Sequence, residues 1–170
     1  MGRKALGSSM VVLALLLTAS SAHAQGFRIG GQLSFGDDTD FGIGPRVGVG
    51  LPNVISGLWL VGSFDYFFPD EGFRGSGASV DYWELNANLI YPVTLPDVTN
   101  LQPYFGGGVN IAHASVTPPE SSVTDTDTRF GLNVLAGLDF PLQGFTPFVE
   151  ARLEIEGGDQ FVVTGGITFP

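Results

Sequence analysis

The side chains that could do chemistry in this sequence are charged groups set at alternate positions among apolar residues. Nine of them share this setting and form a predicted polar network: Arg28, Arg46, Asp65, Glu84, Arg129, Asp139, Glu150, Arg152 and Glu154. Amide side chains fall on the same face, namely Gln32, Asn86, Asn88, Asn110 and Asn133. Because buried charges need partners, this gathering predicts ion pairs and amides that satisfy one another. A narrow polar conduit is the alternative, since glycines on that face, at 42, 44, 48, 50, 106 and 108, would leave room for one.

Catalytic chemistry finds little support in the sequence. His113 is the only histidine after residue 24, and Ser115 lies close to it. No nucleophile elbow surrounds that serine, so His113 is interpreted as an interface residue rather than a general base. Gly106 to Gly108 lack the Lys-Ser/Thr of a phosphate-binding loop. We therefore predict no enzyme, no catalytic residue and no cofactor, with lipid modification as the enzymatic alternative.

Acidic residues also cluster between the alternating segments. They are Asp37, Asp38 and Asp40, then Asp70 and Glu71, then Glu120, Asp125 and Asp127. Carboxylate oxygens at this density could hold Ca²⁺ or Mg²⁺. The rest of a calcium-loop pattern is absent, so solvated surface charge is the favoured interpretation and no metal site is predicted. Divalent cations at these loops stay an alternative.

Charge and composition exclude several classes of partner. Without Arg3 and Lys4, the 7 basic residues become 5, so the chain after residue 24 carries 5 − 17 = −12 charges and no lysine. Nucleic acid is therefore not expected, because phosphate binding needs clustered basic residues. The absence of cysteine excludes disulfides and thiolate metal sites.

A period of two in hydrophobicity is the main structural signal. Eight segments show it: 26–35, 41–51, 58–68, 81–91, 103–116, 129–140, 145–156 and 160–169. Successive side chains of a strand point to opposite faces, so each segment is a predicted strand with one apolar and one polar or glycine-rich face. This pattern predicts an all-β fold, an eight-stranded antiparallel up-and-down transmembrane β-barrel with its apolar face towards lipid. Pro45 predicts a bulge or a missing bond in the second strand.

The first 24 residues have the features of a cleavable secretory signal helix. Arg3 and Lys4 precede an apolar core over 10–18, and Ala22-His23-Ala24 forms a small-residue cleavage signature. We therefore predict a signal peptide at 1–24 and one barrel domain at 25–170. No later segment has a helix-length apolar run, so any crossing of a membrane must use strands.

Aromatic residues fall near the two ends of the predicted strands. One group lies at the end where the first strand begins: Phe27, Tyr91, Phe105, Phe140, Phe145 and Phe169. The other lies at the opposite end: Phe35, Phe41, Phe68, Trp83, Phe130 and Phe161. Two such girdles are typical of lipid-embedded barrels, because amphipathic rings settle at headgroup level. A soluble sandwich gives no reason for this sorting.

Several stretches resemble the small outer-membrane β-barrel domain family, the porin-like and opacity-protein-like barrels of eight strands. They are Pro103-Tyr104-Phe105-Gly106-Gly107-Gly108, GLNVLAGLDF over 131–140, and Pro147-Phe148-Val149-Glu150. The closing Gly166-Ile167-Thr168-Phe169 is similar to the family's last strand, whose terminal aromatic is read by the barrel-insertion machinery. Here Pro170 follows that aromatic, a departure from the family. The resemblance implies a cell outer membrane location and outer-membrane lipids as partners.

The sequence thus predicts an integral outer-membrane protein of a Gram-negative envelope with a structural or surface-interaction role and no catalysis. A small pore for small solutes is the first alternative. A soluble periplasmic ligand-binding β-barrel is the second. The fold hosts many activities, so ligand, partner and oligomeric state do not follow from it.

Overall fold

The computed structural model describes residues 26–68, 79–117 and 124–170. The predicted signal peptide lies outside the described residues, as do Asp70, Glu71 and Glu120 of the acidic loops. No helix in the described part of the chain is long and apolar enough to cross a membrane.

Eight antiparallel strands form a closed barrel, as the alternation predicted. They are β1 (Phe27–Gly36), β2 (Asp40–Gly50), β3 (Trp59–Phe68), β4 (Ser79–Pro92), β5 (Gln102–Thr117), β6 (Asp125–Asp139), β7 (Thr146–Glu156) and β8 (Phe161–Phe169). Each strand pairs with the next along the chain, and β1 pairs with β8. Closure gives every strand two neighbours and removes the free edges of an open sheet.

The polar face of each strand lies inside the barrel. In β3, whose two faces differ least in the sequence, Val61, Ser63 and Asp65 are buried while Leu60 and Phe68 are exposed. In β7, Glu150 is buried and its neighbour Val149 is exposed. Side chains of opposite polarity therefore separate across the wall, with the polar set in the interior.

Pro45 interrupts a ladder without a bulge. The pairs Ile43↔Tyr66 and Arg46↔Ser63 have the same register, so no extra residue is inserted between them. The two intervening residues of β2 have no partner in β3, although Pro45 still lies opposite Gly31 of β1. Of the two expectations for this proline, the missing bond is confirmed and the bulge is wrong.

The two ends of the barrel have different rims. We call the end where β1 begins and β8 ends the near end, and the opposite one the far end. The ladder between β5 and β6 reaches the pair Val116↔Asp125 at the far end. The ladder between β6 and β7 stops earlier, at Gly131↔Glu156. Strands β4, β5 and β6 therefore rise above the rest of the far rim.

Candidate functional site

The barrel interior holds most of the buried polar groups. Among the described residues, 18 polar or charged side chains are buried against 8 hydrophobic ones. Most of the exposed large hydrophobic residues lie on the strands and face outward, as Leu33, Val134 and Ile167 do. This distribution is the inverse of a water-soluble protein, in which apolar side chains fill the core.

Arg46 and Glu150 form a two-pronged ion pair in the near half of the interior. Arg46 Nη2 donates to Glu150 Oε2 at 2.6 Å, and Nη1 lies 3.3 Å from Oε1. The Tyr104 hydroxyl donates to Glu150 Oε2 at 2.9 Å. Below the guanidinium, the Phe148 ring centroid is 4.3 Å from Arg46 Cζ. This pair therefore has geometry, hydrogen bonds and a stacking surface, which a buried ion pair needs to offset its desolvation.

A second pair closes the interior towards the near end. Arg28 Nη1 donates to Asp139 Oδ2 at 3.0 Å. The guanidinium lies over the ring of Trp59, 4.2 Å from its centroid. Both charged side chains keep some exposure, 28% and 12%. Ion pairs and an aromatic ring thus fill the near mouth.

Arg152 lies at the centre of four carboxylates and has no exposed side-chain surface. Its Nε donates to Glu154 Oε1 at 2.7 Å. Nη2 is 3.6 Å from both Asp65 Oδ2 and Glu84 Oε2, and Nη1 is 3.7 Å from Glu150 Oε1. These last three distances are too long for hydrogen bonds. One guanidinium is therefore shared electrostatically among more acids than it can bond.

Neutral donors hold the carboxylates that Arg152 does not bond. Gln32 Nε2 and Ser34 Oγ donate to Asp65 Oδ1 at 2.8 and 2.7 Å. Gln160 Nε2 and the Tyr82 hydroxyl donate to Glu84 Oε1 at 2.6 and 2.7 Å. The other oxygen of Glu84 has no hydrogen-bond partner among the described residues.

Four asparagines form a separate cluster on β4, β5 and β6. Asn133 Nδ2 donates to the side-chain oxygens of Asn86 and Asn88 at 2.8 and 2.9 Å. Asn110 Nδ2 donates to Asn133 Oδ1 at 2.9 Å. All four side chains are buried. The cluster therefore joins three adjacent strands through side-chain hydrogen bonds in the interior.

Arg129 does not join the interior network, and its predicted place there is wrong. It lies on an inward position of β6, but near the far rim, where 66% of its side chain is exposed. Its Nε donates to Asp127 Oδ2 at 2.8 Å. With Tyr82, Ala112, Ala114 and the hairpin glycines 157 and 158, these residues line an open cavity of about 180 Å³. The other eight charged residues of the predicted network line the barrel interior.

Several neutral members of the network were not predicted from the sequence, because only charged and amide side chains were singled out. Thr39 Oγ1 donates to Gln160 Oε1 at 2.7 Å, and the Ser34 and Thr164 hydroxyls are 3.1 Å apart. Tyr104 falls on an inward position, but the alternation of the sequence does not show that its hydroxyl bonds Glu150. Alternation cannot show which of these residues meet: Ser34 and Thr164 come together only through the register of β1 against β8.

The inward glycines do not form a conduit. A side chain at Gly42 would meet the ring of Phe67, and one at Gly48 would contact Trp59 at 3.5 Å. At Gly108 it would collide with the Asn88 side chain, and at Gly44 with the Phe64 carbonyl. The space beside these glycines is taken by neighbouring side chains and by closely approaching backbone.

The aromatic girdles lie on the outer surface. At the far end, Phe41 stacks with Phe68 at 6.1 Å between centroids, and Trp83 stacks with His113 at 4.8 Å. At the near end, Tyr91 contacts Phe105 at 6.1 Å, and Phe145 contacts Phe169 at 6.4 Å. The remaining members are exposed, except for the half-buried Phe140: Phe27, Phe35, Phe130, Phe140 and Phe161.

His113 and the acidic turns lie at the far rim. His113 Nδ1 is 2.8 Å from Thr128 Oγ1, on the outer surface and away from the interior acids. Asp37 Oδ1 accepts a hydrogen bond from the Phe161 amide at 2.9 Å, so it closes the β1–β2 turn against β8. Within the described ranges, no group of three or more His, Cys, Asp or Glu side chains is arranged to hold a metal ion.

These features define the class of protein: an eight-stranded, closed antiparallel β-barrel of the type found in small outer-membrane proteins. The N-terminal β-barrel domain of Pseudomonas aeruginosa OprF is similar over 84% of this chain and 95% of that one, with a TM-score of 0.62 and 18% identity. Neisserial surface protein A (NspA) is similar over 84% and 94%, with a TM-score of 0.59 and 15% identity. A major outer membrane protein of Thermus thermophilus is similar over 84% and 97%, with a TM-score of 0.52 and 14% identity.

These likenesses show the fold. No protein-family model and no curated protein sequence matches the chain.

Proposed function

We propose that the chain is an integral outer-membrane protein with a structural or surface-interaction role. The observation that carries this proposal is the inverted polarity of the barrel: an ion-paired interior inside an apolar outer wall. Exposed Leu, Ile, Val and Phe side chains are stabilised by lipid and destabilised by water. The aromatic girdles support the same placement, since their rings suit the two headgroup regions.

The interior argues for a closed barrel rather than a pore. Arg28, Arg46 and Arg152 span it with their carboxylate partners, and each of these arginines pairs with an acid on a strand distant in the sequence. An eight-stranded barrel is just wide enough for side chains to fill. No conductance is therefore expected from the wild-type protein.

The orientation follows from the strand count. With eight strands, the start of β1 and the end of β8 both lie at the near end, which we place on the periplasmic side. Export through the signal peptide at 1–24, with the barrel domain at 25–170, is part of the proposal. So is recognition of the last strand, with Phe169 at its end, by the barrel-insertion machinery. The far rim then faces away from the cell.

Cell fractionation and gel mobility test the proposal. The full chain is expressed in a Gram-negative host, extracted from the envelope in detergent, and run on a denaturing gel with and without boiling. We expect an outer-membrane location and a mobility change on boiling, because a closed barrel resists unfolding until heated. A soluble periplasmic protein with one mobility would instead support the ligand-binding alternative.

A planar-bilayer measurement then separates the closed barrel from the pore. Purified wild-type protein is expected to give no discrete conductance steps. Steps that disappear on boiling the sample would show an open path and contradict the closed interior.

A further inference from the structure

We propose that the far-end segment of β6, residues 125–130, binds an extended basic polypeptide by adding it as a strand. This inference rests on the proposed function, because it needs the far rim to lie outside the membrane. The segment pairs with β5 on one side, up to Val116↔Asp125. On its other side, β7 ends at Glu156 opposite Gly131, and the described chain offers no further partner.

The open side of this segment carries main-chain groups that have no partner strand among the described residues. In an antiparallel sheet, successive residues bond alternately to the two neighbouring strands. The N–H of Phe140, which directly follows β6, donates to the Pro147 carbonyl at 2.8 Å in the register of the β6–β7 ladder, so Phe140 bonds towards β7. Even-numbered residues of β6 therefore bond towards β7. In the extension, Thr126, Thr128 and Phe130 direct their N–H and C=O groups to the open side.

The segment is long and accessible enough for a partner strand. All of its residues are exposed, and Phe130 is 72% exposed at its base. Six residues of strand span about 20 Å, which matches a partner segment of similar length. Main-chain pairing along an open strand provides affinity in this mode, while the side chains provide specificity.

Charge selects the partner. The described far-end turns and strand ends carry one arginine, Arg129, against eight acids: Asp37, Asp38, Asp40, Asp81, Asp125, Asp127, Glu156 and Asp159. An acidic rim attracts basic chains and repels acidic ones. Lys or Arg at alternate positions of an added strand would lie beside Asp125 and Asp127, because cross-strand neighbours interact on one face.

A second copy of this chain fits the edge poorly. Two barrels in one membrane hold β6 in the same direction, so their extensions would pair in parallel. Identical residues would then come close, with Asp125 facing Asp125 and Asp127 facing Asp127. Like charges in facing positions are destabilising. A different polypeptide with basic residues is the better occupant.

Fluorescence anisotropy with a defined probe tests the inference. The probe is a labelled seven-residue peptide of alternating Lys and Val, and the control peptide alternates Glu and Val. Full-length refolded protein in detergent is expected to bind the Lys peptide saturably and more weakly as salt rises. It should not bind the Glu peptide. Absence of saturable Lys-peptide binding would overturn the inference.

Thr128→Pro and Thr128→Ala form the matched pair of variants. Each removes the hydroxyl near His113, but only proline removes the amide on the open side. We expect Thr128→Pro to lower the affinity for the Lys peptide roughly tenfold. Thr128→Ala should keep that affinity within about twofold of wild type. Should Thr128→Pro not fold, Thr126→Pro tests the same edge one pair further out.

The remaining outcomes are also decisive. Equal binding to the proline and alanine variants, lost on Asp125→Asn with Asp127→Asn, would show simple charge attraction and overturn strand addition. The wild-type protein could instead form a detergent-stable dimer that the Thr128→Pro substitution dissociates, and bind no Lys peptide. This result would make a second copy of the chain the occupant of the edge and overturn the basic partner. Heat modifiability of each variant is measured in parallel, so that failure of the barrel itself is distinguished from failure of the edge.

Discussion

Arg46 and Arg152 are both buried in the barrel interior, but they are held differently. Arg46 donates to Glu150 with both terminal nitrogens, and the Tyr104 hydroxyl donates a further hydrogen bond to the same carboxylate. Among the described residues, Arg152 hydrogen-bonds only Glu154 and lies 3.6 to 3.7 Å from three other carboxylates. The first is a satisfied pair, and the second is a shared counter-ion. Burial and ion-pair counts alone do not distinguish these two roles.

The charge balance explains the difference. Arg46 and Arg152 face the interior acids Asp65, Glu84, Glu150 and Glu154, so two cations meet four carboxylates. Removing a partner from a buried ion pair leaves an uncompensated charge, which costs about 3 to 5 kcal/mol. The cost should therefore depend on how many acids lose their only cation.

Arg152→Met should have the largest effect. Asp65, Glu84 and Glu154 would keep no cation within 4 Å, since each has only Arg152 as its ion-pair partner among the described residues. We expect the free energy of unfolding to fall by at least about 3 kcal/mol, or the barrel not to close. Urea titration in lipid vesicles, followed by gel mobility, measures this. Wild-type stability in this variant would contradict the shared counter-ion.

Arg46→Met should have a smaller effect. Glu150 would keep the hydrogen bond from the Tyr104 hydroxyl and the charge of Arg152, whose Nη1 is 3.7 Å away. We expect a loss of about 2 kcal/mol in the same titration. A larger loss than that of Arg152→Met would reverse the roles assigned to the two arginines.

Glu154→Gln and Glu84→Gln compare the acid that Arg152 hydrogen-bonds with one that it does not. Glu154 accepts the 2.7 Å bond from Arg152, so its substitution should cost about 1.5 to 3 kcal/mol. Glu84 Oε2 has no hydrogen bond to the described residues, and glutamine would remove one surplus negative charge. We expect Glu84→Gln to stay within about 1 kcal/mol of wild type in the urea titration. Equal losses in the two variants would show that the acids are interchangeable.

Arg129→Ala should have the smallest effect. Its pair with Asp127 is exposed and screened by solvent. The stability should remain within about 0.5 kcal/mol of wild type, measured in the same vesicles. A loss comparable to that of Arg46→Met would place Arg129 back in the network.

Alternation in the sequence predicts which face of the wall a residue lies on, but not its depth. Asp65 and Arg129 both lie on inward positions, yet one is fully buried and the other is exposed at the rim. Depth depends on where each ladder stops, which is set by pairing between strands. For the same reason the sequence does not show that Gln160 meets Thr39 across the β1–β8 closure.

Glycines illustrate a second limit. A period of two places Gly42 and Gly108 inside, but it cannot tell whether the space beside them is empty. In the structure, Phe67 and Asn88 occupy it. These are cross-strand contacts, which depend on register as well as on phase.

The closure of β1 on β8 has a consequence for the order of assembly. Several contacts that fill the interior join residues more than 100 positions apart, including Arg46 with Glu150, 104 positions, and Ser34 with Thr164, 130 positions. None of these long-range contacts can form until the last strands have been synthesised and brought back to the first. Until then the inward charges stay hydrated, and a nascent chain gains nothing from them. The interior network of ion pairs is therefore expected to form late. It stabilises the finished barrel rather than guiding its assembly.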